Sequence, residues 1–234
     1  MFNFLESQHL YLLLMIFSIS FPIIRSFENK IKFYKKFNNL IVSILGMMLI
    51  FVPWDIIFTY NNIWMFNDKY TLGYKLLYLP IEEWIFFIFI PFSCVFIYEV
   101  LEYFFPIRRY DNFQIKVINL VIAFTLIFIS IFYFQKTYTF ICLISTGIFM
   151  IYLNKKNNSF LLSLYRLCFV SYFPFILING ILTGAFTTEP IVIYNEMENS
   201  NIRFFTIPIE DFIYNFLMLG TTLFIYHKKV SNHQ

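Results

Sequence analysis

Polar breaks divide the chain into seven apolar segments, most of them long enough to cross a lipid bilayer. A membrane-spanning helix needs roughly 20 mainly apolar residues. The segments do not alternate apolar and polar residues over about ten positions, as the strands of a membrane β-barrel do. We therefore predict seven membrane helices, at His9–Ser26, Leu40–Thr59, Ile81–Tyr103, Phe113–Phe134, Tyr138–Leu153, Phe160–Phe186 and Ile207–Tyr226.

The composition supports a membrane protein. Of the 234 residues, 59% are hydrophobic and only 13% are charged, whereas soluble domains carry about 25% charged residues. The first apolar segment lacks a basic start and a small-residue cleavage site, so we expect it to be a membrane helix and not a signal peptide. The three cysteines lie singly in apolar runs, which predicts neither a disulfide framework nor a CxxC metal or redox pair.

Basic residues are unevenly distributed between the links that join the predicted helices. Those that follow odd-numbered helices hold most of them: Arg25, Lys30, Lys32, Lys35, Lys36, Arg108, Arg109, Lys116, Lys155, Lys156, Lys228 and Lys229. The opposite links hold Lys69, Lys75, Lys136 and Arg203. Because cytoplasmic loops are enriched in Lys and Arg, we predict a multi-pass cell-membrane protein with its N-terminus outside and its C-terminus cytoplasmic. No basic patch carries a groove-reading motif, so nucleic acid is not an expected partner.

An internal repeat is the most informative feature of the chain. The tetrad Pro80–Glu83 (PIEE) recurs as Pro208–Asp211 (PIED), 128 residues later. The same spacing aligns further residues on both sides of the tetrads: Phe58-Thr59 with Phe186-Thr187, Ile63 with Ile191, Asn67 with Asn195, Lys75 with Arg203, and Phe96-Ile97-Tyr98 with Phe224-Ile225-Tyr226. We predict an all-α integral membrane protein with two parallel three-helix repeats, residues 1–104 and 136–234, joined by a connecting helix in residues 105–135.

The acidic tetrads are candidates for a catalytic site. Proline and acidic residues also suit the first turn of any helix. Here, however, the acids recur at one register of a repeat and precede long uncharged runs, and carboxyls at membrane depth are costly. Neighbouring helical residues point about 100° apart, so one acid of each pair should enter a shared cavity while the other faces a loop or the other half. A carboxyl in an apolar cavity can hold a proton at neutral pH and deliver it as a general acid.

The doubled tetrad resembles that of the membrane lycopene cyclases of the heterodimeric and fused type. The resemblance extends to Pro53-Trp54-Asp55 at the end of helix two, to Asn179–Gly184 at the end of helix six, and to 190–195 in the last outer loop. It covers nearly the whole chain. The second tetrad departs slightly from the family pattern because it ends in Asp, and no proline in the first outer loop corresponds to Pro190.

The resemblance implies closure of the acyclic ψ-ends of lycopene into β-rings, giving γ-carotene and then β-carotene in carotenoid biosynthesis. It implies Glu82 and Glu210 as the principal acids, with Glu83 and Asp211 as partners or bases. Substrate-binding or supporting candidates are Asp55, Trp84, Asn67 and Asn195. Expected partners are lycopene, membrane lipids, further copies of the chain and other carotenoid enzymes. The residues leave open whether one or both ends are closed, whether the rings are β or ε, and whether longer carotenoids are used.

We expect no cofactor and no metal. Ring closure involves no net redox change, and the chain has no G-x-G-x-x-G motif for a flavin. His9, His227 and His233 are scattered, without metal-ligand spacing. Trp84, beside the acids, could stabilise a cation or anchor its helix at the interface.

Three other classes of membrane protein share some of these features. A retinal protein would need a Schiff-base lysine, but helix seven contains none between Ile207 and Tyr226. A polyprenyl transferase would need aspartate-rich motifs for magnesium diphosphate, and the chain has neither DxxD nor DxxxD. A small ion-coupled transporter that uses the paired carboxylates is the main alternative, since repeats and intramembrane acids also occur in carriers.

Overall fold

The computed structural model describes residues 4–107, 113–156 and 158–231. Over these ranges the chain forms seven α-helices: α1 (Leu10–Arg25), α2 (Phe37–Tyr60), α3 (Ile81–Phe104), α4 (Phe113–Phe132), α5 (Thr137–Leu153), α6 (Asn158–Leu182) and α7 (Ile209–Ser231). Four of them, α2, α3, α4 and α6, are long and apolar enough to cross a membrane, while α1 and α5 are shorter apolar helices. The predicted helical membrane architecture is confirmed. Arg108, Arg109 and His233 lie outside the described residues.

Short strands occupy the links before α3 and α7. Three antiparallel pairs form from β1 (Trp64–Phe66), β2 (Lys75–Leu76), β3 (Leu79–Pro80), β4 (Val192–Tyr194), β5 (Arg203–Phe204) and β6 (Ile207–Pro208). The β2–β3 and β5–β6 hairpins each lead directly into a helix, whereas the β1–β4 ribbon joins the two links to each other. These links, with the starts of α1 and α5, form one end of the bundle, which we call the loop end. The sequence did not predict the strands.

The two hairpins share one backbone geometry, which confirms the internal repeat. Gly73 and its counterpart Asn201 both have positive φ angles, of 79° and 61°. Leu77 and Phe205, which correspond at the hairpin turns, have φ angles of 51° and 53°. These left-handed conformations are uncommon for residues other than glycine, so their recurrence 128 positions apart indicates that the two segments fold alike.

The 128-residue register ends between β1 and α2. Phe58-Thr59 lies in the last turns of α2, but Phe186-Thr187 lies beyond the end of α6, so this part of the predicted alignment is wrong. The prediction that helix six reaches Phe186 is also wrong. Gly184 adopts a φ of 100°, and Ala185 N–H bonds to Gly180 O at 2.8 Å, the geometry of a glycine-terminated helix. Helix α2 instead continues through Pro53 to Tyr60, which places Asp55 more than one turn before its end.

The two halves interlock. Helix α1 packs against α3 and, in the second half, α5 packs against α7. Between the halves, α2 lies along α7 and α6 lies along α3. Helix α4 lies outside this arrangement, mainly against α5, where Gly147 allows close approach to the Ala123 carbonyl. Each acidic tetrad therefore begins a helix that contacts both halves of the protein.

Candidate active site

A small cavity of about 70 Å³ lies between the two halves at the loop end of the bundle. Six of the seven helices contribute to its wall, and the β1–β4 ribbon adds further side chains. Its acidic lining residues are Asp55, Glu83 and Asp211. Each of the three is at least 92% buried, with exposures of 2%, 8% and 6%. We call this space the central cavity.

Glu83 and Asp211, the second acids of the two tetrads, have corresponding partners. Tyr11 at the start of α1 donates its hydroxyl hydrogen to Glu83 Oε2. Tyr138 at the start of α5 donates to Asp211 Oδ1 at 2.7 Å. The two tyrosines lie 127 residues apart in the sequence, one residue less than the tetrads. The repeat thus supplies the same acid–phenol pair from both sides of the cavity.

Asp211 has more hydrogen-bond donors around it than Glu83 does. Besides Tyr138, Asn179 Nδ2 and the Tyr194 hydroxyl each donate to Asp211 Oδ2, both at 2.8 Å. An ionised carboxylate is an acceptor only and can take hydrogen bonds on both oxygens. The three donors therefore suit Asp211 as the carboxylate of the cavity.

Asp55 has the complementary arrangement. Its Oδ1 accepts a 2.7 Å hydrogen bond from Trp64 Nε1. Its Oδ2 is buried without a hydrogen-bond partner among the described residues. A buried polar atom without a partner is costly, and here it belongs to a residue that lines the central cavity. Oδ2 is thus a position from which a proton could be offered to a bound molecule.

Glu82 and Glu210, the first acids of the tetrads, are fully buried but do not line the central cavity. Each accepts a 2.7 Å hydrogen bond on Oε1 from a backbone N–H ten residues earlier, that of Leu72 for Glu82 and that of Ser200 for Glu210. Glu210 also accepts one from the Thr139 hydroxyl. The other oxygen of each, Oε2, is buried without a hydrogen-bond partner among the described residues. The first acids thus hold the loop that precedes each hairpin, while the second acids face the cavity.

Aromatic rings form much of the cavity wall. Trp64 and Tyr138 meet with ring centroids 5.1 Å apart, and Tyr138 stacks on Tyr194 at 5.9 Å. Tyr214, the repeat counterpart of Phe86, lines the same space. Aromatic faces attract cations, so this wall suits a carbocation. Trp84 is not part of it: its indole N–H points to the Leu76 carbonyl of β2 at 3.2 Å.

Asn67 and Asn195 lie in the ribbon that covers the cavity and do not line it. The Asn67 backbone N–H bonds to Ile191 O at 2.8 Å, and the Asn195 N–H bonds to Ile63 O at 2.9 Å. Their side chains complete the next turn of each link by accepting from Lys69 N–H and Met197 N–H, both at 3.0 Å. The two asparagines therefore fix the position of the β1–β4 ribbon over the central cavity.

A charged clasp at the loop end joins three segments around Glu6. Lys69 Nζ lies 2.6 Å from Glu6 Oε2, and Thr188 N–H donates to Oε1 at 2.9 Å. Tyr70 donates its hydroxyl hydrogen to Oε2 at 2.9 Å. The hydrogen bond from Lys69, helped by those from Thr188 and Tyr70, lowers the pKa of Glu6 to about 2. The clasp ties the segment before α1 to both covering links.

Sequence reasoning did not identify the side chains that surround the acids. Tyr11, Tyr138, Tyr194 and Asn179 are all donors to the second acids. Asn179 and Tyr194 lie in the segments 179–184 and 190–195 that carried the resemblance, but without an assigned role, and the 127-residue spacing of Tyr11 and Tyr138 is missed at a fixed spacing of 128. Over the described ranges, no group of three or more His, Cys, Asp or Glu side chains is arranged to hold a metal ion.

Comparison with known proteins agrees with this geometry. The family model for lycopene cyclase matches the chain twice, at residues 8–101 and 135–228. Each match contains one tetrad together with the tyrosine that bonds to its second acid. Neither the curated proteins nor the solved structures include a match. The two family matches cover most of the chain, and the protein belongs to the lycopene cyclase family.

Proposed function

We propose that the protein closes the acyclic ψ-ends of lycopene into β-rings, by way of γ-carotene to β-carotene, through acid–base catalysis in the central cavity. The family supports a carotenoid substrate. The observation that carries the proposed chemistry is the meeting of three buried carboxyls, Asp55, Glu83 and Asp211, in one aromatic-walled space. Such a site can supply an acid, a base and a wall that tolerates positive charge.

The reaction balances without an electron donor or acceptor. A proton is added to the terminal carbon–carbon double bond and leaves a tertiary carbocation. The neighbouring double bond attacks this cation and closes the ring, which moves the positive charge to a ring carbon. Loss of a ring proton to a carboxylate restores a double bond. One proton is delivered and one is recovered, so the site needs only to return it between its own carboxyls.

The hydrogen bonds distribute these roles among the three acids. Asp55 is the proposed proton donor, because among the three carboxyls that line the cavity it has a buried oxygen, Oδ2, without a partner among the described residues. Asp211 is the proposed base, because its three donors suit a carboxylate. Glu83 lies in the same cavity and shares its hydrogen bond with Tyr11, a position from which it can pass the proton back to Asp55.

Glu82 and Glu210 receive a positioning role in this proposal, in place of the principal acid role expected from the resemblance. Each is in the first turn of its helix and holds a backbone N–H of the preceding loop. By fixing hairpin and helix together, each sets the direction in which its neighbouring second acid points. The aromatic wall formed by Trp64, Tyr138 and Tyr194 takes the cation-stabilising role considered for Trp84.

Expression in a bacterium that accumulates lycopene tests the proposed function directly. Chromatography of the pigments should show γ-carotene and β-carotene with the wild-type chain and unchanged lycopene with Asp211→Asn. Lycopene that stays unchanged while the wild-type protein is folded in the membrane would refute the proposal. ε-Ring products would refute the β-ring assignment and leave the cyclase activity standing.

The proposed proton addition leaves an isotopic trace. In a single turnover by protein pre-equilibrated in heavy water, each newly closed ring should gain one deuterium, because the donor starts deuterated and the recovered ring proton is returned only afterwards. Mass spectrometry of the product measures this gain. Rings formed without deuterium would show that the hydrogen does not come from an exchangeable acid.

A further inference from the structure

We propose that the groove between α1, α3 and α6 holds the polyene chain of the substrate, with one end group in the central cavity. This inference rests on the proposed function and adds to it where the rest of a long, rigid molecule lies. The groove encloses about 430 Å³. It shares five lining residues with the central cavity: Phe86, Phe175, Asn179, Leu182 and Asn215. The two spaces are therefore neighbours with a common wall.

The groove continues toward the other end of the bundle. A second pocket of about 460 Å³ follows it between α1 and α3 and shares Phe21, Phe96 and Ile97 with it. Along α3 the three spaces extend from Glu83 to Phe104. At about 1.5 Å per helical residue, this distance is about 32 Å, close to the thickness of the hydrocarbon core of a bilayer.

The groove wall suits a hydrocarbon. Most of its lining side chains are apolar, and three of its four serine hydroxyls are hydrogen-bonded to backbone carbonyls, while Ser171 Oγ is buried without a partner among the described residues. Ser93 donates to Ser18 O and Phe89 O, at 3.0 and 2.8 Å, and Ser18 donates to Met15 O at 2.7 Å. At its edge, Phe17 and Phe21 are 66% and 65% exposed. In a bilayer these rings face lipid, so a carotenoid can enter sideways from the membrane.

The corresponding face of the second half is filled by packing. Ile97 lines the groove, but its counterpart Ile225 packs onto α2 at Gly46, where an added Cβ would lie 2.9 Å from Ile225 Cδ1. Nearby, the Phe149 ring occupies the space over Gly220. The repeat thus gives paired acids, but over the described residues the second-half face is filled at these two points, and we infer that the two ends of the substrate react in turn.

A substitution that fills the groove far from the acids tests this assignment. Ile97→Trp narrows it about 14 residues along α3 from Glu83, and Ile88→Trp, on the lipid-facing side of the same helix, is the matched control. In an Asp211→Asn background, Ile97→Trp should lower the lycopene that copurifies with the protein at least roughly tenfold. Ile88→Trp should leave it unchanged. Equal retention by both variants would overturn the groove assignment.

A shorter substrate separates a filled groove from a misfolded or inactive protein. A half-length acyclic polyene with one lycopene end group needs only the part of the groove next to the central cavity. The Ile97→Trp variant should therefore still cyclise this compound while losing activity on lycopene. If the wild-type chain cyclises neither compound, the proposed function fails, and the retention measurement still decides whether the groove binds the polyene.

The order in which the products appear tests whether the two ends react in turn. Early in the wild-type reaction γ-carotene should be released before β-carotene. β-Carotene alone at the earliest times would overturn reaction of the ends in turn.

Discussion

Glu210 accepts a 2.7 Å hydrogen bond from the backbone N–H of Ser200, and Glu82 accepts one of the same length from Leu72. The relationship recurs at a spacing of 128 residues and lies outside the central cavity. The two acids of each tetrad therefore have different structural roles. The first acid of each fixes a loop, and the second faces the cavity with a tyrosine as its donor.

Amide substitutions of the tetrad acids should therefore have unequal effects. Glu83→Gln and Asp211→Asn remove a titrating group from the cavity and should each lower the rate of ring closure by roughly 10²- to 10⁴-fold. Glu82→Gln and Glu210→Gln retain an oxygen that accepts the loop N–H, so we expect losses of about tenfold or less. Initial rates in membranes, normalised to folded protein, measure the difference. A complete loss in Glu82→Gln or Glu210→Gln with full activity in the other pair would contradict the assigned roles.

Asp55 should behave as a catalytic acid and not only as part of the helix packing. Asp55→Asn retains an acceptor for Trp64 Nε1 but cannot deliver a proton, and we expect ring closure to fall by roughly 10²-fold or more. Trp64→Phe removes only the indole donor and should cost about five- to tenfold. Asp68→Asn, at an exposed aspartate of the loop end, is the matched control and should leave the rate unchanged. Wild-type rates in Asp55→Asn would exclude it as the donor.

The sequence predicted the helices well because each apolar run must match the bilayer and because polar breaks mark its ends. All seven predicted starts lie within three residues of the observed ones, and the largest difference is that between Leu40 and Phe37. Segment six ran too far at its end because Ala185 and Phe186 are apolar; the left-handed Gly184 stops the helix there. The composition of this segment does not predict the left-handed backbone conformation of Gly184.

The site was predictable in part. The spacing of the tetrads identified the four acids, but not which acid of each pair faces the cavity. That choice depends on the rotation of α3 and α7, which the hairpins set through the Ile81 N–H to Tyr74 O and Ile209 N–H to Ile202 O bonds, both 3.0 Å. Asp55 was a supporting candidate from the resemblance, but its place in the cavity wall depends on the way α2 packs along α7 of the second half, a tertiary contact that the sequence does not predict.

Glu6 should keep the covering links in place over the whole range of ordinary assay pH. Its pKa is lowered from 4.5 to about 2, so the clasp contributes stability above about pH 4.5 and loses it as the pH falls toward 2. Protection of the Thr188 amide, measured by hydrogen exchange and corrected for intrinsic rates, should therefore stay constant between about pH 5 and 8. Glu6→Gln should reduce this protection at every pH in that range. Protection that titrates near neutral pH would contradict the clasp.

We propose that the loop end, and with it the acids, lies on the outer side of the membrane, because most basic residues lie at the other end. The three native cysteines are buried, so single introduced cysteines can report the orientation. Met197→Cys, at a position 81% exposed at the loop end, should react with an impermeant maleimide in intact cells. Lys35→Cys, in the link between α1 and α2, should react only after the membrane is permeabilised. The reverse pattern would invert the proposed topology.

Gly147 should be the glycine at which a methyl group most destabilises the bundle. A Cβ there would lie 2.5 Å from Ile127 Cγ1 and 2.9 Å from the Ala123 carbonyl oxygen, and since the latter is backbone, α4 and α5 must move apart. We expect Gly147→Ala to cost about 1–3 kcal/mol of unfolding free energy. Gly180→Ala is the matched control, because its Cβ meets only Ala185 Cβ at 3.8 Å and alanine favours the helix. Thermal unfolding in detergent should separate the two variants, and equal midpoints would show that α4 is not packed on α5 as closely as the structure indicates.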